Sequence, residues 1–326
     1  MKILYVGGYG RSGSTLVGRV LGELPSAICV GETRYLWSRG LLNNVDCGCG
    51  QPFLSCPFWS AVGEDAFGGW NRIDAKRLAE VDRLANLRST LPFYWAPKLR
   101  PRLVAMIRDY AAHLSALYAA VSRVSGSETI VDTSKEPTFA HLLNWVPECD
   151  VRVIHLVRDS RAVAYSWTRR RRLASPIGRQ QFMGQFDPTK TAILWTISNA
   201  AFHALSVRKS SYLRLSYESF VSEPRAALQT VSAFAGEKLP SSSPQLTETE
   251  VKLTNHHIFS GNPMRTATGW VPIRPDNEWQ SQLAAGPFVK ATAMTWPLLR
   301  YYGYRILPAG RLKGRGRDQL AAVDGN

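Results

Sequence analysis

The sequence predicts an α/β fold, a doubly wound parallel sheet flanked by helices. Two observations carry this. Short apolar runs of strand length alternate with stretches of helical apolar spacing, the pattern of strands that return in parallel through crossover helices. The first such run ends in glycines and leads through a glycine-rich loop directly into a helix.

Taken in order, Lys2 to Val6 reads as a buried strand closed by Gly7 and Gly8. From Ser14, the apolar residues Leu16, Val17, Val20, Leu21 and Leu24 recur at helical spacing until Pro25. A second strand, Ala27 to Val30, leads to Gly31-Glu32-Thr33-Arg34, and Tyr35 to Leu42 follows as a helix. Residues 47–127 read as a helical insertion, broken by the proline-rich stretch Leu91 to Pro101. The alternation then resumes with strands at Thr129 to Val131, Val151 to Val157 and Tyr212 to Leu215. Helices are predicted at Pro137 to Trp145, from Asp159 onward, at Thr191 to Arg208 and at Arg225 to Ala235. The whole of 1–326 is expected to form one domain, with a mobile basic tail at 311–326 and no internal repeat.

With 40 Lys and Arg against 25 Asp and Glu, the formal charge is +15, which implies an anionic partner without choosing one. The apolar run at the N-terminus is too short for a signal core or a membrane span, so a cytoplasmic protein is expected. Arginine outnumbering lysine and frequent alanine fit a bacterial source. Five cysteines do not suggest a disulfide scaffold. Cys47, Cys49 and Cys56 cluster in a stretch rich in Gly, Pro and aromatics, but the sequence offers no fourth ligand beside them, so a plain loop with reduced thiols or an incidental disulfide is expected and no metal.

Gly8 to Thr15 reads Gly-Tyr-Gly-Arg-Ser-Gly-Ser-Thr, between a strand and a helix where backbone N–H groups converge on an anion. Gly8, Gly13 and Thr15 match the triphosphate-binding spacing G-x-x-x-x-G-K-[ST], which makes the predicted sheet one of P-loop type. Ser14 stands where the lysine that neutralises β and γ phosphates belongs, which argues against a triphosphate. A cation sits inside the loop instead, at Arg11. The run Arg11-Ser12-Gly13-Ser14-Thr15 resembles the 5′-phosphosulfate loop of sulfotransferases that use 3′-phosphoadenosine-5′-phosphosulfate (PAPS). Val157-Arg158 through Ser166-Trp167 resembles the 3′-phosphate motif of the same family, which implies that Arg158 and Ser166 clasp the ribose 3′-phosphate. Physically, an arginine at the carboxyl end of a parallel strand lies where open α/β sheets bind ligands, and its fork suits a phosphate. Asp159 after an apolar strand also invites a metal-holding reading, but Arg158 places a fixed positive charge beside any such ion.

Sulfuryl transfer needs in-line placement, cations at the leaving oxygen and a base for the incoming hydroxyl. Arg11 and Lys135 are the candidate cations. Glu32, after the second strand, is the candidate base, and its surroundings resemble those of the catalytic glutamate in tyrosylprotein sulfotransferases; pairing with Arg34 is the structural alternative. His256 and His257 are alternative bases, ahead of a Gly-Asn-Pro-x-Arg stretch. By family resemblance that stretch closes over the site, places Arg265 on the 3′-phosphate and uses Gly269 and Trp270 as a lid. Tyr217 resembles the family's nucleotide-side tyrosine, and His155 reads as a core residue. Arg169 to Arg172 form a basic face.

The resemblance implies a PAPS-dependent sulfotransferase acting without metal on a small-molecule, glycan, lipid or peptide hydroxyl. A kinase or hydrolase using Mg-ATP or GTP is the rival within the fold. A basic nucleic-acid-binding protein is the rival outside it, although no helix-turn-helix, zinc-finger or RNA-binding signature is present. The sequence is silent on oligomeric state.

Overall fold

The computed structural model describes residues 1–86, 88–90, 92, 96–169, 172–173, 181–182, 184–206, 211–236 and 246–307. The basic tail at 311–326, and Arg170 and Arg171 of the basic face, lie outside the described residues. The strands are β1 (Lys2–Gly7), β2 (Ala27–Gly31), β3 (Thr129–Lys135), β4 (Asp150–Val157), β5 (Arg172–Leu173), β6 (Gln181–Phe182), β7 (Tyr212–Ser216), β8 (Glu250–Leu253) and β9 (Gly269–Pro272). Five of them form a parallel sheet in the order β2-β3-β1-β4-β7, and β5-β6 and β8-β9 are small antiparallel pairs.

Side chains alternate along β1 because successive Cβ atoms point to opposite faces. Ile3 and Tyr5 enter one core with Leu114, Leu117 and Tyr118 of the helix Pro101–Ser125. Leu4 and Val6 enter the other with Val17 and Val20 of α1 (Ser14–Leu21) and Val231 of the helix Pro224–Ala235. Both faces of the sheet are covered, which explains the apolar strands.

Between β2 and β3 the described residues are largely helical and include α2 (Pro57–Phe67) and the helices Ala75–Ala85 and Pro101–Ser125. Leu36–Leu42 forms a wide π-type turn, a distortion common at functional sites. Two departures from the predicted boundaries have physical causes. Strand β3 runs on past Val131 to Lys135 because its polar residues find buried partners: Asp132 accepts from Tyr118 Oη (2.5 Å), from the Ser134 amide (2.7 Å) and from Thr33 Oγ1. The helix after β3 stops at Leu143, and Asn144 is its C-cap.

Arg161 is among the largest fully buried side chains. Its Nη2 pairs with Asp159 Oδ2 (2.7 Å), and it also donates to the carbonyls of Ile306 (2.6 Å) and Arg305 (2.7 Å), fastening the segment that follows the helix Ala285–Tyr301 to the β4 edge. Arg161→Met keeps the volume but strands the Asp159 charge and two carbonyls. Loss of roughly 3–5 kcal/mol is expected in denaturant unfolding.

Candidate active site

All five sheet strands point their carboxyl ends to one edge, and the chain leaves that edge at Gly8, Glu32, Glu136, Arg158 and Tyr217. A cleft of about 630 Å³ opens there. Its lining includes Arg11, Gly13, Ser14, Thr15, Glu32, Lys135, Arg158, Ser166 and Tyr217, so most of the predicted site residues meet in one place.

The loop after β1 folds tightly. Gly13 caps α1 with φ 94°, and a Cβ there would lie 2.3 Å from the Tyr217 ring, so glycine is required by conformation and by space. Arg11 takes φ 72°, and its guanidinium stands 4.8 Å over the Trp167 ring. Ser12 is buried beneath the loop and does not line the cleft. Arg158 links the two halves of the site: Nη1 donates to the Arg11 carbonyl (3.0 Å), Nη2 meets Asp276 Oδ2 (2.9 Å), and the group stacks 4.6 Å over Tyr217. Asp159 caps the following helix and pairs with Arg161, so its carboxylate serves the fold.

Glu32 is buried, and its partner is not Arg34, which faces Asp82 and Glu136. Glu32 Oε1 pairs with Lys135 Nζ. Its Oε2 accepts from Ser260 Oγ (2.9 Å), which in turn accepts from Arg39 Nη1 (2.8 Å). Lys135 also takes φ 72°; burial pushes its ammonium down to about 8, Glu136 opposes that shift and Arg11 adds to it.

Several predicted residues lie elsewhere. Arg265 is buried behind the cleft, with Nη1 donating to the carbonyls of Asp46, Ile258 and Phe259, so the motif that placed it on a phosphate is corrected by its orientation. Gly269 and Trp270 belong to the β8-β9 pair and do not line the cleft. His256 accepts from the Ile258 amide (3.0 Å), and burial pushes it down to about 3. His257 turns toward cysteines: its Nδ1 lies 3.2 Å from Cys56 Sγ and 3.9 Å from Cys47 Sγ. This corrects the expectation that the three cysteines lack a fourth ligand. His155 is a core residue, between Asn199 (2.8 Å) and Tyr212 (2.6 Å), and burial pushes it down to about 3. Arg169 pairs with Glu278.

Sequence reasoning missed Arg39, Ser260 and Asp276, whose contacts with Glu32 and Arg158 span loops with no motif. It also missed the apolar wall of the cleft, formed by Tyr35, Pro137, Trp167, Phe186, Leu194 and Ile197.

A family model described as "Sulfotransferase domain" matches residues 78–282, more than half of the chain. The matched span contains Lys135, Arg158, Ser166 and Tyr217, whereas the Arg11 loop and Glu32 precede it. No curated protein matches. Among solved structures, the chain is similar to the sulfotransferase domain from the curacin biosynthetic pathway, with 17% identity over 94% of this chain and 98% of that one and a TM-score of 0.50. It is also similar to the sulfotransferase domain from the Synechococcus PCC 7002 olefin synthase, with 19% identity over 94% and 95% and a TM-score of 0.49. The first likeness shows a shared fold. Among the described residues no helix is long and apolar enough to cross a membrane.

Asp276 holds the Arg158 guanidinium at the cleft. If Arg158 takes a phosphate there, Asp276→Asn should tighten binding of adenosine 3′,5′-bisphosphate by roughly fivefold, the equivalent of about 1 kcal/mol for a partly exposed pair. Calorimetric titration checks it; unchanged affinity would mean that Arg158 does not meet the ligand.

Proposed function

The chain belongs to the sulfotransferase domain family, and we propose that it transfers the sulfuryl group of PAPS to the hydroxyl of an acceptor with an apolar or aromatic body. One observation carries the reading: Arg11, Lys135 and Arg158 converge on a single cleft that also holds the buried carboxylate of Glu32. Three cations suit a donor with phosphate at both ends, and the carboxylate suits a hydroxyl nucleophile.

In this reading the loop Arg11 to Thr15 receives the 5′-phosphosulfate and Arg158 with Ser166 the 3′-phosphate. Tyr217 flanks the nucleotide. The acceptor lies against Tyr35, Phe186, Leu194 and Ile197. Its oxygen forms a bond to sulfur as the bond from sulfur to the bridging phosphate oxygen breaks; the electron pair leaves on that oxygen, facing Lys135 and Arg11. The acceptor proton passes to Glu32. Lys135 serves both ends, because it pairs with Glu32 beforehand and turns to the leaving oxygen as charge develops there. The residues named need no metal for this chemistry. His256 and His257 do not line the cleft, which favours Glu32 as the base.

The rival reading as a kinase or hydrolase is weakened by Ser14 at the lysine position and by the engagement of Asp159 with Arg161. A cytoplasmic location and one domain over 1–326 complete the proposal.

Titration with adenosine 3′,5′-bisphosphate, adenosine 5′-monophosphate and Mg-ATP tests the donor. Binding that depends on the 3′-phosphate and is lost in Arg158→Ala is expected; preference for Mg-ATP would overturn the reading. Glu32→Gln should keep bisphosphate affinity and lose turnover on the order of a hundredfold or more. Lys135 adds a pH signature. Its ammonium is present below about 8 and deprotonates as pH rises through that value, so kcat/KM should fall on the alkaline side. Lys135→Arg, charged throughout, should remove that limb from the profile.

A further inference from the structure

Outside the cleft, the fold joins two segments that are far apart in sequence. Cys47 and Cys49 lie in a tight turn, closed by the Cys47 amide on the Gln51 carbonyl (2.8 Å) and the Gly50 amide on the Cys47 carbonyl (3.0 Å). Cys56 sits at the N-cap of α2, where the helix dipole favours a thiolate. His257 arrives from the other segment, stacked on Phe58 with ring centroids 4.7 Å apart and held by Trp59 Nε1 on its carbonyl (2.7 Å). Gly48 lets this segment come close: a Cβ there would lie 2.1 Å from His256 Cε1.

We propose that Cys47, Cys49, Cys56 and His257 form a structural zinc site. Their four ligand atoms all lie within 4.8 Å of one another. A tetrahedral zinc with its usual bond lengths places sulfur atoms about 3.8 Å apart and sulfur about 3.5 Å from nitrogen. Cys49 Sγ and Cys56 Sγ are 3.6 Å apart, and the two sulfur–Nδ1 distances are 3.2 and 3.9 Å. That spacing fits one ion, whereas the ligands of a multi-iron cluster bind separate irons and stand further apart. Softness agrees, since thiolates with one imidazole in tetrahedral array select zinc.

Charge is compatible with this assignment. Three thiolates, a neutral imidazole and Zn²⁺ sum to one negative charge, and the buried guanidinium of Arg265, which donates to the carbonyls of Asp46, Ile258 and Phe259, lies near Cys47 and the Asp46 carboxylate.

The site would staple residues 45–56 to 254–262, and the second segment carries Ser260, the donor to Glu32. Stripping the metal should thus slow turnover while sparing bisphosphate affinity. This consequence rests on Glu32 as the base; the metal site itself does not.

Elemental analysis of the full chain, purified under reducing conditions and dialysed after exposure to zinc, tests the site without any variant. About one zinc per chain is expected. Less than about a tenth of an equivalent, or an intact mass lower by the two hydrogens of a disulfide, would sink the proposal. Cys49→Ser and His257→Ala should each lower the retained zinc, whereas His257→Cys should retain it. Cobalt-loaded wild-type protein should show tetrahedral ligand-field absorption with thiolate charge transfer, stronger in His257→Cys. Full zinc retention by the Cys56→Ser/His257→Ala double variant would place the ion elsewhere and also overturn the assignment.

Discussion

Strands β2 and β3 lie side by side; Glu32 follows the first, Lys135 ends the second, and their pairing organises the cleft. Neither group could be buried there alone, because an unpaired charge in a weakly polar interior is far more costly than a paired one. The pair is also braced from behind. Thr33, next to Glu32, bonds Asp132, three residues before Lys135, and Tyr118 bonds the same carboxylate. Burial pushes the Asp132 carboxyl up, and the hydrogen bonds from Ser134, Thr33 and Tyr118 oppose that shift. The residues that face the cleft are thus fixed by residues that do not.

Strain accompanies this arrangement. Arg11 and Lys135 both adopt φ 72°, a conformation that costs a non-glycine residue of order 1 kcal/mol or more. Both side chains are cations that line one cleft, so the strain is concentrated on groups that repel each other. Glu32, Glu136 and Asp276 offset the charge. A multiply anionic ligand would do the same more completely, because it can meet Arg11, Lys135 and Arg158 together, and the +15 net charge would draw such a ligand toward the protein.

The parts of this design that were legible in sequence are those coded locally. Apolar runs ended by glycine or a charge mark the strands, and the strand-loop-helix order marks the Arg11 loop. The same order places Arg158 and Ser166, because a residue after a parallel strand falls on the carboxyl edge whatever the tertiary detail. Orientation is coded elsewhere. Arg265 belongs to a recognisable stretch, yet which way its guanidinium points depends on carbonyls of Asp46, Ile258 and Phe259 that no local pattern specifies. Arg39, Ser260 and Asp276 are ordinary polar residues until the fold sets them on Glu32 and Arg158. The cysteine stretch shows the same limit: three potential ligands are adjacent in sequence, and the fourth, His257, comes from beyond the sheet.

The segment 254–267 contains the stretch that by resemblance closes over the site, but its backbone argues for a fixed wall. A loop packed against the core must find donors for its carbonyls. Arg19 of α1 supplies those of Thr254, Arg265 and Ala267, Arg265 those of Ile258 and Phe259, and Trp59 that of His257. Opening this segment would break charge-assisted bonds, each worth about 1.5–3 kcal/mol, and expose two buried arginines. The wall that holds Ser260 against Glu32 is therefore stiff. The Arg158–Asp276 pair at the cleft is held less firmly, because it is partly exposed at Asp276 and joins groups from separate elements.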